Sequence, residues 1–129
     1  MVWVLVTVGS AFGGVARYTL SLLALRWLGP AFPWGTLLVN CSGALAIGAY
    51  FATVDVSAPA LQHLPLWQGL SFGFLGGYTT FSSFSLEVLF LSRNQQWVRA
   101  LLYVASSVVA CVAAAALGYY LVSTFSALL

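Results

Sequence analysis

The sequence predicts an all-α membrane protein of four transmembrane helices, with the third helix broken in mid-membrane. Three observations lead there. Of 129 residues, 62% are hydrophobic and 5% charged, with mean hydropathy +1.02; a soluble domain carries about 25% charged residues and about half apolar ones. Four apolar segments, at about 2–28, 34–54, 66–91 and 97–126, each reach the roughly 20 residues that span a hydrocarbon core. The third has adjacent glycines and adjacent threonines in its middle, Gly76-Gly77 and Thr79-Thr80. With so few charges, lipid must cover most of the exterior.

The segments account for nearly the whole chain, so residues 1–129 form one transmembrane domain. The first segment holds Arg17 but lacks the basic start of a secretory signal, and residues 1–28 are expected to remain as a helix. Pro30 and Pro33 stop helices in the first connection, 29–33. The second segment has no charge. The connection 55–65 carries Asp55, Ser57, Pro59, Gln62, His63 and Pro65, and the connection 92–96 carries Arg93, Asn94, Gln95 and Gln96. Trp3, Trp27, Trp34, Trp67 and Trp97 all stand at segment ends, where interfacial tryptophans belong. A single four-helix subunit makes a thin wall for any pathway, which argues for an oligomer.

Composition also excludes functions. The charges are Arg17, Arg26, Arg93, Arg99, Asp55 and Glu87, for a net +2; that is no basic patch for nucleic acid. Cys41 and Cys111 lie in apolar runs and read as small buried hydrophobes rather than a disulfide or a metal pair. His63 stands alone. No nucleophile, acid–base pair or nucleotide loop suggests an enzyme. Arg26, Arg93 and Arg99 fall on one side of the membrane, against no arginine in the 55–65 connection; the positive-inside rule then puts both termini outside.

The third segment is the unusual one. Glycine costs about 1 kcal/mol in a helix interior, so 76–80 reads as a break that frees backbone carbonyls at membrane depth. Such backbone persists only where protein or a polar cavity faces it, and freed carbonyls hold small cations. Gly69, Gly73 and Gly77, with Gly9 and Gly13 in the first segment, form small-residue stripes for close helix packing. After the break, Phe81 and Phe84 share one face, Ser82 and Ser85 an adjoining one, and Glu87 continues the polar run. Ring edges are partially positive; with hydroxyl donors they can replace an anion's water shell without a fixed charge that would trap it. Thr36 and Asn40 lie one turn apart and face the same way. They suit either an interhelical hydrogen bond worth about 0.6–2 kcal/mol or a functional site. Arg17 either snorkels to the interface or lines an anion vestibule. Tyr103, Ser107 and Cys111, with Ser106 beside them, form a weakly polar stripe that by itself suits packing.

Three strings, Gly13-Gly14-Val15-Ala16-Arg17-Tyr18, Gly35-Thr36-Leu37-Leu38-Val39-Asn40 and Gly73-Phe74-Leu75-Gly76-Gly77-Tyr78-Thr79-Thr80-Phe81-Ser82-Ser83-Phe84-Ser85-Leu86-Glu87, together resemble the CrcB/Fluc fluoride channel family. Length, helix number and motif order agree over the whole chain. The resemblance implies a dimer of two oppositely oriented subunits in a prokaryotic inner (plasma) membrane, with two fluoride pathways along the interface. It implies a structural sodium ion (Na+) at the dimer centre, held by the backbone carbonyls of Gly76 and Thr79. Phe81 and Phe84 would be the pore phenylalanines, Asn40 a donor to fluoride, and Arg17 a vestibule residue. Thr36, Ser82, Ser85 and Glu87 would form the polar track, continued on the fourth helix by Tyr103 and Ser107. Cys111 stands where the family often has a further hydroxyl. Chains that insert both ways should show little arginine bias. The bias here leaves open a same-chain dimer, the default, and a heterodimer with an oppositely oriented paralogue.

The main rival is a small four-helix multidrug exporter coupled to protons, which needs a membrane-embedded carboxylate. That family places it in the first helix, where this chain has Arg17 and no acid. A non-transporting scaffold would leave the polar run unexplained.

Overall fold

The computed structural model describes residues 1–54 and 64–128; the expectations for Asp55 and His63 lie outside the described residues. Helix α1 spans Val2–Leu28 and α2 spans Trp34–Ala52. The third helix begins on Pro65 at its first position, where the missing N–H costs nothing. It runs through Pro65–Gln68, widens to a π-helix over Gly69–Leu75 and returns to one α turn at Gly76–Tyr78; these three stretches together are α3. Helix α4 is Phe81–Arg93 and α5 is Trp97–Ala127. No strand occurs among the described residues.

Local sequence explains the ends. Gly29 terminates α1 with φ 76°, a left-handed conformation that suits glycine, and its N–H bonds to the Leu25 carbonyl at 3.0 Å. Pro33 then stands directly before α2. Helices α1, α2 and α5 are each long and apolar enough to cross a membrane. The predicted segment 66–91 is two shorter helices on either side of a break, because Thr79 and Thr80 are extended (ψ 158° and 117°). The predicted break at 76–80 therefore narrows to 79–80, and Gly76 and Gly77 remain helical.

Two glycine seams hold the helices together. Between α1 and α3, a Cβ on Gly9 would stand 2.6 Å from the Gly69 carbonyl oxygen, and one on Gly73 would stand 2.8 Å from that of Val6. Gly13 and Gly77 meet the Phe74 and Ser10 carbonyls in the same way. The Ser10 hydroxyl donates to the Gly73 carbonyl across this seam at 3.2 Å. The predicted glycine stripes are thus the packing surface, as close backbone approach in membranes requires. The second seam, between α2 and α5, was not foreseen: Gly48 lies against the Ala115 carbonyl and Gly118 against that of Leu45.

Burial is inverted relative to a soluble domain. Trp3, Leu101, Val109 and Phe125 are exposed, whereas Thr36, Thr80, Tyr103 and Ser107 are buried. An apolar exterior around a partly polar interior is the arrangement of a membrane protein.

Candidate functional site

The site is built where α2, the α3–α4 break and α5 converge. Asn40 on α2 addresses Thr80 twice: its Oδ1 accepts the Thr80 N–H at 2.9 Å, and its Nδ2 donates to the Thr80 carbonyl at 3.0 Å. The side-chain amide thus satisfies an extended residue as a neighbouring strand would. Thr80 is also the N-cap of α4, since its Oγ1 accepts the Ser83 N–H at 3.1 Å. Its hydroxyl donates to Ser83 Oγ at 3.1 Å, and Ser82 Oγ lies 3.1 Å away.

These bonds have a consequence for the backbone. In a continuous helix, the Gly76 and Thr79 carbonyls would accept from the N–H groups four residues on, those of Thr80 and Ser83. Asn40 Oδ1 takes the first of those donors and Thr80 Oγ1 the second. The Gly76 and Thr79 carbonyls named for sodium are therefore among those at the break that lose their helical donors. Gly76 is exposed on the subunit surface. Carbonyl oxygens suit a hard cation, so the residues present fit the implied ion.

The second centre is Glu87 on α4. Thr36 Oγ1 donates to its Oε1 at 2.8 Å, and the Tyr103 hydroxyl donates to its Oε2 at 2.6 Å. Both carboxylate oxygens are met by hydroxyls from flanking helices, so the half-buried acid is fully partnered. Tyr103 is fully buried. Its ring lies 5.2 Å from that of Phe84 and meets Phe32, in the α1–α2 connection, edge-on at 5.4 Å. Phe84 and Phe81 are 5.7 Å apart, centroid to centroid. A continuous line of aromatic rings thus runs from the break to the acid.

Two cavities flank this line. One of about 480 Å³ lies at the break, lined by Asn40, Thr79, Thr80, Phe81 and Cys111 among others. Another, of about 360 Å³, reaches Thr36 and Glu87 past Phe32 and Pro33. The chain belongs to the CrcB family. The profile described as "CrcB-like protein, Camphor Resistance (CrcB)" matches residues 4–119. The chain is 45% identical over 114 residues to the "Fluoride-specific ion channel FluC 2" of Rhodopseudomonas palustris (strain BisB18), covering 88% of this chain and 87% of the relative. It is 49% identical over 116 residues to the "Fluoride-specific ion channel FluC" of Magnetococcus marinus, covering 88% and 90%. With the channel of that name from Gluconobacter oxydans, it shares 42% identity over 126 residues, covering 95% and 85%.

Among the sequence-predicted site residues, the structure brings together Asn40, Thr79 and Phe81 at one cavity, and Thr36, Glu87, Tyr103 and Phe84 at the acid. Ser82 and Ser85 are exposed, and the Ser85 hydroxyl donates to the Phe81 carbonyl at 3.0 Å. Ser107 is buried, and its hydroxyl has no hydrogen-bond partner among the described residues. Arg17 is half-buried on α1 and forms no ion pair or hydrogen bond among the described residues, so the structure does not tie it to the rest. Sequence reasoning missed three participants: Thr80 as both cap and Asn40's partner, Phe32 against Tyr103, and the approach of Cys41 to Cys111. Only the first had a local signal, a threonine directly before the apolar residue that opens the next helix. The other two join positions far apart in the chain.

Proposed function

We propose that this chain conducts fluoride selectively and passively out of the cell, as an antiparallel dimer in the inner (plasma) membrane. Hydrogen fluoride crosses lipid as a neutral molecule and dissociates in a less acidic cytoplasm. The membrane potential then drives the anion out, so no energy source is needed and no bond is made or broken. The curated relatives are named fluoride-specific ion channels over most of this chain's length. The observation that carries the reading is the line of ring edges and hydroxyls from Asn40 and Phe81 to Phe84, Tyr103 and Glu87. It offers the second Asn40 amide proton and partially positive ring edges to an anion, with no lysine or arginine on the line that would hold it, while the Thr36 and Tyr103 hydroxyls are taken by Glu87.

Phe81 is 79% exposed in the single subunit, beside exposed Ser82 and Ser85. Hydroxyls and an intervening ring are a poor lipid-facing surface. A second copy of the chain, oppositely oriented, is the proposed cover, and the pathway runs along that junction. Sodium, when bound by the Gly76 and Thr79 carbonyls, supplies a fixed positive charge that holds the two breaks together. The same-chain dimer is preferred; an oppositely oriented paralogue is the alternative partner. A proton-coupled drug exporter gains nothing from the geometry: α1 has no acid, and Glu87 is already engaged by Thr36 and Tyr103.

The test is fluoride efflux from liposomes holding the purified protein, with chloride as control and Phe81→Ile in parallel. Fluoride-only efflux, lost in the variant, is the expected result. Dimers that pass no fluoride would sink the same-chain reading.

A further inference from the structure

The geometry points to a two-thiol site for a soft, thiophilic metal cation, formed by Cys41 and Cys111 on the seam between α2 and α5. The two Sγ atoms stand 3.7 Å apart although 70 positions separate them in sequence. Both are free, half-buried thiols. The helices that carry them meet backbone to backbone at Gly48 and Gly118, so their spacing is rigidly set.

That spacing selects the chemistry. A disulfide bond of about 2.05 Å would draw the sulfurs together by roughly 1.7 Å. A near-linear bridge with two metal–sulfur bonds of about 2.3 Å each spans about 4.6 Å, so an ion enters with roughly 0.9 Å of outward side-chain movement, about half the shift that a disulfide needs. Among the described residues, no group of three or more His, Cys, Asp or Glu side chains comes together. A metal that demands four ligands has no full set, whereas a soft cation content with two thiolates does. With mercuric chloride, two mercury–chlorine bonds break, each thiol gives up its proton, two sulfur–mercury bonds form and two equivalents of hydrogen chloride leave. No electron is transferred, and the product is neutral. A neutral bridge is tolerated in an apolar interior where a lone thiolate is not.

Occupancy has a functional consequence, and this part rests on the proposed fluoride pathway. Cys111 lines the cavity that also holds Asn40 and Phe81. A bridging metal would remove a donor proton from that wall and put a bulky group beside it. Metal binding should therefore stop fluoride efflux.

Mercuric chloride, a neutral species able to enter the bilayer, is the probe. The purified protein is treated, desalted and measured for mercury per chain, for remaining thiols and for cross-linked chains on a denaturing gel. The same samples in liposomes are measured for fluoride efflux before treatment, after it, and after excess dithiothreitol. The expected result is one mercury per chain, both thiols consumed together, no cross-linked chains, and loss of efflux reversed by dithiothreitol. Cys41→Ser should retain basal efflux and become insensitive. Either single serine variant should hold mercury about a hundredfold or more weakly, since the second bond is the intramolecular one. Two mercury atoms per chain, no uptake, or chains joined to each other would overturn the site. One bridged mercury with unimpaired efflux would overturn the block and leave the site standing. Absence of efflux before any treatment would count against the channel reading alone, because the stoichiometry is read without it.

Discussion

The side-chain amide of Asn40 pairs with both backbone hydrogen-bonding groups of Thr80, accepting at 2.9 Å and donating at 3.0 Å. One of its two amide protons is used on Thr80, and the other remains to be offered to an anion. Asn40→Ala would leave the N–H and the carbonyl of Thr80 without this partner, at a cost of about 1–3 kcal/mol for each buried group left unsatisfied. The expected outcome is a lower thermal midpoint in detergent together with loss of fluoride efflux. Asn40→Asp keeps the acceptor, loses the donor and puts a carboxylate beside the pathway. It should fold better than the alanine variant and conduct no better.

Glu87 and Tyr103 should act as a unit. A hydrogen bond to a charged group is worth about 1.5–3 kcal/mol, more than one between neutral groups. Tyr103→Phe and Glu87→Gln should each destabilise the protein, and the double variant should be less destabilised than the sum. A double-mutant cycle on unfolding is expected to give a coupling of about 1–3 kcal/mol. A cycle that closes to zero would show that the 2.6 Å contact carries no energy.

Ser107 separates stability from conduction. Its buried hydroxyl has no partner among the described residues, and an unpaired buried polar group costs about 1–3 kcal/mol. Ser107→Ala should leave the thermal midpoint unchanged or raise it, while fluoride efflux falls. A fall in both would mean that the hydroxyl is structurally engaged and is no part of an anion track.

The glycines differ sharply in what they tolerate. A Cβ at Gly48 meets the backbone of Ala115, whereas one at Gly14 meets nothing within 4 Å. Gly48→Ala should force α2 from α5 and cost about 1–3 kcal/mol. Gly14→Ala should be neutral or stabilising by about 0.4–1 kcal/mol, through loss of unfolded-state freedom. Midpoints of thermal unfolding for the two variants, measured side by side in one detergent, make the comparison.

Much of this was legible in the amino-acid sequence alone. Six charges among 129 residues demand lipid, because apolar surface on that scale has no other solvent. The spacing of Gly9, Gly13, Gly69, Gly73 and Gly77 already placed small residues on one side of each helix, since helical periodicity is local. It likewise put Thr36 and Asn40 on a common face, and both do point toward the α3–α4 segment. What no local rule contains is which groups meet across helices. Glycine content weakened 76–80 as a whole, yet the helix ends at Tyr78 and resumes at Phe81. There, Asn40, 40 positions away in sequence, takes the Thr80 backbone groups and Thr80 caps the next helix. The pairings of Thr36 and Tyr103 with Glu87, and of Cys41 with Cys111, are likewise set by how closely glycine lets the helices approach. Composition and periodicity determined the environment of each helix and the face it turns inward. Only the packed backbone decided the depth of contact, and hydrogen bonds of about 3 Å exist or fail on that distance.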